Sequence, residues 1–234
     1  MNKKLAFAAL ALLALVFALA AGVAEEGSAL QVGDYFTFGV YEQDNVLDNG
    51  MEPIEWRVLA IEGNEILAIS QYALDSQPYN DKGGYARWVK ASLRTWLSTE
   101  FYNTAFNDEE KACIITKDLK NWKEANTSDD PVTLIDCDEA KKLFANHDDR
   151  QCTPTAYCIA QGARLSTKYN RTKDGPMNVN WWLRQHSWES NYRGAYVAMS
   201  GGVMTCGGNK DGTASNAKIA VRPAIYLNAD MLGK

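Results

Sequence analysis

Two histidines, five cysteines and a scatter of carboxylates are the residues of this chain that could do chemistry. Their spacing argues against most of it. A serine hydrolase needs an imidazole within reach of its nucleophile. His147 lies in the polar stretch 146–150 and reads as a solvated surface residue. No Gly-x-Ser-x-Gly elbow occurs, and Met199-Ser200-Gly201-Gly202 reads as a turn between strands. A zinc set of Cys137, His147, Cys152 and Cys158 fits no common ligand spacing. There is no Cys-x-x-Cys, and with Cys113 and Cys206 the odd count leaves at least one thiol unpaired or paired between chains. A glycosidase needs two carboxylates across a cleft. Asp75, Glu189 and Asp211 are candidates that the sequence cannot pair, and they read first as surface or cap residues. The acidic loop 42–52 lacks the spacing and closing glutamate of a calcium loop, so it reads as a solvated hairpin loop. No catalytic residue, metal ligand or cofactor is assigned.

What remains is recognition. The stretch Asn180–Leu227 holds three apolar runs, at 181–183, 195–199 and 219–227, separated by two polar, glycine-containing loops. The first loop, 185–194, carries His186, Trp188, Tyr192 and Arg193; the second, 207–217, carries Asn209 and Asp211. These six residues are the candidate ligand-binding set. Aromatic rings beside polar side chains suit stacking on a sugar or packing on a peptide. Trp181 and Trp182 must face opposite sides of their strand. Arg57, Arg184 and Arg222 lie in apolar strands, and a buried charge demands a partner, so each is expected to pair internally with a carboxylate.

The elements that would position these residues follow from periodicity. The aromatic, alternating segment 34–41 reads as a strand, and 54–61 and 65–70 flank Glu62-Gly63-Asn64 as a hairpin. Val89, Leu93, Trp96, Leu97 and Phe101 form a helical stripe. Asn107, followed by acids, caps a second helix. Strands are expected at 113–116 and 132–135, with a long exposed loop over 117–131. Asp136 or Asp138 caps a helix to about Ala145, and Thr153 or Thr155 starts one over 156–163. A second polar loop is expected over 165–178. Strands, then helices, then strands make an α+β domain rather than an alternating α/β one.

Compartment is the most legible property. Lys3 and Lys4 precede an apolar run over 5–20, with small-x-small sites ending at Ala20 and Ala24. That pattern is a cleavable signal peptide over residues 1–24 and predicts a secreted or cell-envelope protein with no remaining membrane span. With 24 basic against 29 acidic residues and no basic cluster, nucleic acid and anionic lipid are poor partners.

Taken in order, the segments FGVYEQ, PIEWRVLAIEGNEILAISQYALDSQPYN, SLRTWLSTEFYNTAF, DRQCTPTAYCIAQGA, WWLR and VRPAIYL resemble the uncharacterised bacterial family called domain of unknown function 6273, over about residues 33–228. After WWLR that family tends to a Ser-Pro-Gly-like turn, where this chain has Gln185-His186-Ser187-Trp188. More distantly, the tryptophan strand, the Ala-Tyr-Val strand and the closing VRP strand resemble the C-terminal half of C-type-lectin-like domains, including the formylglycine-generating-enzyme and Fibrobacter paralogous branches. That likeness implies pairing of first and last strands, two covering helices and a loop-built binding face. Formylglycine-generating chemistry would need a reactive cysteine pair near the C-terminal strands, where Cys206 stands alone. The resulting expectation is a single α+β domain over 30–229, an antiparallel sheet with covering helices and long loops, C-type-lectin-like. It would serve as a non-catalytic module for a carbohydrate or protein ligand at the cell surface. The alternatives are a carbohydrate-active or other envelope enzyme, or a structural interaction domain.

Overall fold

The computed structural model describes residues 29–121, 127–170, 177–187, 190, 192–205 and 212–232. The leader read at 1–24 lies outside them. Gln31–Lys234 form one compact unit. Among the described residues, no helix is long and apolar enough to cross a membrane.

The chain opens with β1 (Tyr35–Tyr41), β2 (Glu52–Glu62) and β3 (Glu65–Ser70), consecutive antiparallel neighbours. Gly63 takes φ +63°, a conformation open to glycine at little cost, and closes the β2–β3 hairpin where the sequence placed its turn. After β4 (Asp75–Ser76) comes a continuous helical stretch: α1 (Ser92–Trp96), a π-turn over Leu97–Phe101, and α2 (Tyr102–Ala105). Leu93, Leu97 and Phe101 of the helical stripe are buried. Asn107 caps α3 (Asp108–Cys113) in a reciprocal capping box with Glu110.

Two of the expected loops are hairpins. β5 (Lys117–Lys120) pairs with β6 (Thr127–Asp130), and β7 (Leu165–Asn170) pairs with β8 (Met177–Val179). The inward face of β6 is polar: Ser128 and Asp130 are buried. Asp130 accepts from Trp88 Nε1 at 2.7 Å, from Arg94 Nε at 2.5 Å and from Ser128 Oγ at 2.8 Å. Alternation was present, but it was not hydrophobic alternation. Conversely, no strand forms at 113–116: Cys113 ends α3, and the extended residues after it leave a single bridge from Ile114 to Leu227. The segment 132–135 makes only a Thr133–Ala224 bridge. Asp136 caps α4 (Cys137–Lys142) with a second capping box, and the helix stops short of Ala145. α5 (His147–Arg150) and α6 (Ala156–Ala160) follow, the latter capped by Thr155.

The C-terminal strands are β9 (Trp181–His186), β10 (Gly194–Val197), β11 (Val203–Met204), β12 (Ala220–Val221) and β13 (Ala224–Asn228). They do not form one sheet. A four-stranded sheet runs β1-β2-β3-β13, and a five-stranded sheet runs β11-β10-β9-β12-β4. The second sheet contains one parallel pair, β9 with β12. The α+β class holds, with two principal sheets and mixed pairing in place of one antiparallel sheet. β1 and β13 occupy opposite edges of the first sheet, so the first and last strands do not pair.

Two adjacent crossovers join the sheets. The chain leaves the first sheet after β3 and enters the second at β4; it leaves the second after β12 and re-enters the first at β13. Backbone bonds link them, Ser70 N to Pro223 O at 2.9 Å and Leu74 N to Val221 O at 2.9 Å. Arg222 sits at the junction, 0% exposed. Its guanidinium donates to Ser70 O at 2.8 Å and Gln71 O at 3.4 Å, and lies 5.1 Å from the Trp181 ring centre and 5.5 Å from that of Phe144. The expected internal carboxylate pairs occur for Arg57, with Asp149 at 2.6 Å, and for Arg184, with Asp136 at 3.1 Å. Arg222 is held by carbonyls and ring faces. Hydrogen bonds involving a charged group contribute roughly 1.5–3 kcal/mol each. Arg222→Ala should therefore cost at least about 3 kcal/mol of unfolding free energy. Arg222→Lys should recover less than half of that, because the planar fork is lost. Urea unfolding with an unchanged denaturant slope checks both values.

Candidate binding site

The segment between β4 and α1 has almost no regular structure, and buried aromatic side chains fix it in place. Tyr79 and Trp88 are wholly buried. Tyr79 packs edge-on against Trp182 at 5.5 Å and Trp88 at 6.0 Å, and its hydroxyl donates to Arg184 O. Trp182 Nε1 donates to Gln77 O at 2.9 Å. Gly194 of β10 faces this nest, and a Cβ there would stand 2.8 Å from both Trp182 and Tyr79. Trp181 turns to the other side of β9, 6.3 Å from Phe144, so the two tryptophans face opposite ways as alternation requires.

With the inward rings anchored, the outward ones stand free of the core. Tyr85 is 52% exposed and Tyr192 is 56% exposed. Their rings are stacked, with centres 4.8 Å apart and planes 22° apart. A hydrogen bond with the Tyr85 phenol holds the Tyr192 phenol above the ordinary tyrosine range. The Arg87 guanidinium lies 5.6 Å from the Tyr85 ring centre. A short backbone relay sets the Tyr192 loop beside the Asn80 loop: Ala214 N donates to Tyr192 O at 3.1 Å, and Asn80 N donates to Ala214 O at 2.8 Å.

At the foot of this stack, Asn80, Tyr85, Arg87 and Lys90 line a depression of about 450 Å³. Asn80 and Lys90 also line a second depression of about 540 Å³, which continues past Gln77, Ser92, Thr95, Thr99 and the half-buried Trp96. Asn80 and Lys90 are common to both, so the two depressions adjoin and are taken together as one trough. Its lining mixes amide, hydroxyl and charged groups with the apolar Pro78 and Leu93 and the rings of Trp96 and Tyr85.

Of the residues expected from sequence, Tyr192 stacks on Tyr85 beside the trough without lining it. Arg193 follows it, half-buried, in a backbone bridge with Thr213. His186 departs from expectation: it is the last residue of β9, opposite Gly194, and it is buried, because the strand runs two residues beyond WWLR. Trp188, Asn209 and Asp211 lie outside the described residues, as does Cys206. Tyr85, Arg87, Asn80 and Lys90 were missed. The available signal was an aromatic residue directly after Gly83-Gly84 in a polar segment, where no core could claim it.

The chemistry outside the trough is muted. Burial pushes the Cys137 thiol up to about 12 and the Cys158 thiol above its usual range, so both stay protonated. His147 is exposed. Carboxylate oxygens of Glu42, Asp44 and Glu52 gather within 4.8 Å of one another in the β1–β2 loop. They already accept from the loop's own groups, at 2.7 Å from Gln43 N to Glu52 and 2.7 Å from Val46 N to Asp44, which is what a closed hairpin loop requires. Asp81 and Glu100 line the trough. The carboxyls raised by burial, Asp75 and Glu139, do not.

A family model described as "Domain of unknown function (DUF6273)" matches residues 63–229. No curated protein and no solved structure matches the chain.

Asp75 supports the trough from beneath. Its carboxyl accepts from Tyr41 Oη at 2.5 Å, from Ser76 N at 2.6 Å and from Gln77 Nε2 at 3.2 Å. Burial nonetheless raises its pKa above the ordinary 3.8. A raised folded-state value means stability that is full below about pH 4 and declines as pH rises through the folded value. Asp75→Asn, which keeps the shape without the charge, should flatten that decline. Urea unfolding of both proteins from pH 4 upward measures it, and parallel curves would refute the assignment.

Proposed function

This chain belongs to the DUF6273 family, whose description states no activity, and from the trough we propose that it is an exported, non-catalytic module that binds a carbohydrate at the cell surface. One observation carries the reading: Tyr85, half-exposed and stacked on Tyr192, lines a trough that sets amides, hydroxyls and charges beside the apolar surfaces of Pro78, Leu93 and Trp96. A sugar ring has an apolar face that suits an aromatic ring and a rim of hydroxyls that suits such a lining. Export rests on the leader pattern at residues 1–24.

The fold is read further as C-type-lectin-like in its succession of tryptophan strand, Ala-Tyr-Val strand and closing strand, and in a recognition face built from loops. The separate edges of β1 and β13 are a departure from that pattern. A catalytic variant of the same reading draws on Asp81 and Glu100, both of which line the trough.

A screen of glycans and cell-wall fragments, followed by titration calorimetry, tests the proposal. Tyr85→Ala and Tyr192→Ala should each weaken binding tenfold or more, about 1.4 kcal/mol, with far-ultraviolet dichroism unchanged. Undiminished affinity in both variants would remove the site. Hydrolysis of the bound glycan, abolished by Glu100→Gln, would overturn the non-catalytic part alone.

A further inference from the structure

A second cavity, of about 380 Å³, lies between the first sheet and α4. Register builds its floor. Ala60, Leu67 and Tyr226 are opposed in one row across β2, β3 and β13, and Glu62, Glu65 and Asn228 in the next row toward the strand ends. Leu143 adds to the apolar surface from just beyond α4. Above this floor the walls are strongly acidic: Glu62, Glu65, Asp136, Asp138 and Glu139 line the cavity against Lys117 and Lys142.

The position of Glu139 is unusual. Its Oε2 is engaged by Asp136 N at 2.6 Å, as the capping box requires, while its Oε1 receives only a long 3.4 Å bond from Tyr226 Oη. Arg184 Nη2 approaches the same carboxylate at 3.5 Å from the interior. Burial raises the Glu139 carboxyl's proton affinity in spite of Arg184. A second cation on the cavity side would relieve that cost.

The protein already places such a cation nearby. The Lys117 ammonium pairs with Glu65 and lies 5.2 Å from the centre of the Tyr226 ring. Carboxylate on one side and aromatic face on the other is the environment that selects an ammonium group. Its four-carbon stem is matched by the apolar floor.

We propose that this cavity binds an extended alkylammonium group, its chain on Ala60, Leu67 and Leu143 and its charge on Glu139, with Lys117 as the tethered competitor. The group could belong to a free amine or to a lysine side chain of another protein; the chemistry is the same. This site shares no lining residue with the trough and does not depend on the carbohydrate reading.

Titration calorimetry of the full chain with n-pentylammonium, and with n-pentanol as neutral control, tests it. Saturable one-to-one binding of the amine is expected, with the alcohol at least tenfold weaker. Glu139→Gln retains an acceptor for the capping box and should lose tenfold or more. Lys117→Ala should tighten binding several-fold, an effect that a general loss of structure would not produce. Tyr192→Ala should leave amine affinity unchanged. N-acetyl-lysine methylamide binding as well as pentylammonium would assign a protein lysine as the source; its exclusion would assign a free amine. Equal affinity for amine and alcohol, or weaker amine binding in Lys117→Ala, would overturn the proposal.

Discussion

The two sheets of this protein depend on one buried guanidinium. Arg222 occupies the point where both crossovers pass, and it donates to the carbonyls of Ser70 and Gln71, the end of β3 and the residue after it. Those carbonyls lie where the chain leaves the β2 ladder, Ser70 still opposite Trp56, on its way to the second sheet. Unsatisfied and buried, they would cost more than their hydrogen bonds return. Pro223 has no N–H to contribute there, and its carbonyl takes the Ser70 amide instead. The arginine's own desolvation is offset by the faces of Trp181 and Phe144, which offer electron density without competing for the carbonyls. The junction sets β4 beside β12, where Asp75 and Ser76 pair with Val221 and Ala220.

The trough is one consequence. β4 is only two residues long, too short to hold the following segment by a ladder. The segment is held by side chains whose partners lie on the second sheet: Tyr79 against Trp182 and the Arg184 carbonyl, and Trp182 on the Gln77 carbonyl. Trp88, on the short helical turn before α1, is tied in turn to Asp130 of the β5–β6 hairpin. A polar hairpin, an irregular loop and a strand are thus joined through three aromatic residues. Gly194 belongs to that nest because no larger residue fits the space beside Trp182 and Tyr79.

Sequence periodicity revealed the parts whose buried face is apolar. The β2–β3 hairpin, the helical stripe through Leu93, Leu97 and Phe101, the N-cap at Asn107 and a cap at Asp136 or Asp138 were legible, since each rests on local rules; that Asp136 is the cap, and that both caps are reciprocal boxes, came from the structure. The β5–β6 hairpin was not legible, because Leu119 is the one apolar residue on its buried face beside Ser128 and Asp130, and the Asp130 partners Trp88 and Arg94 lie some forty residues upstream. The apolar run 219–227 read as one strand; Arg222 and Pro223 divide it between two sheets, and only the second crossover explains why. The same limit applies to the binding face. Tyr192 could be placed on a loop by its surroundings, but its neighbour Tyr85 is more than a hundred residues away, and the contact between them is made by tertiary structure alone. His186 shows the converse: a residue typical of sites, closed off by two further residues of strand.

A recognition face made of loops is usually weakened by the ordering it demands on binding. Here much of that ordering is already in place. The loop carrying Asn80, Tyr85 and Lys90 is fixed at Gln77, Tyr79, Asn80 and Trp88 by partners outside itself. Tyr192 is fixed through its carbonyl to Ala214 and through its ring to Tyr85. The side chains facing the trough therefore start near the positions a ligand would need. A shallow, solvent-open surface gains little from each contact it makes, so its affinity depends on losing little entropy in making them. That is the physical reason for so much buried aromatic structure beneath a face that, among the described residues, presents two stacked rings and a half-buried tryptophan.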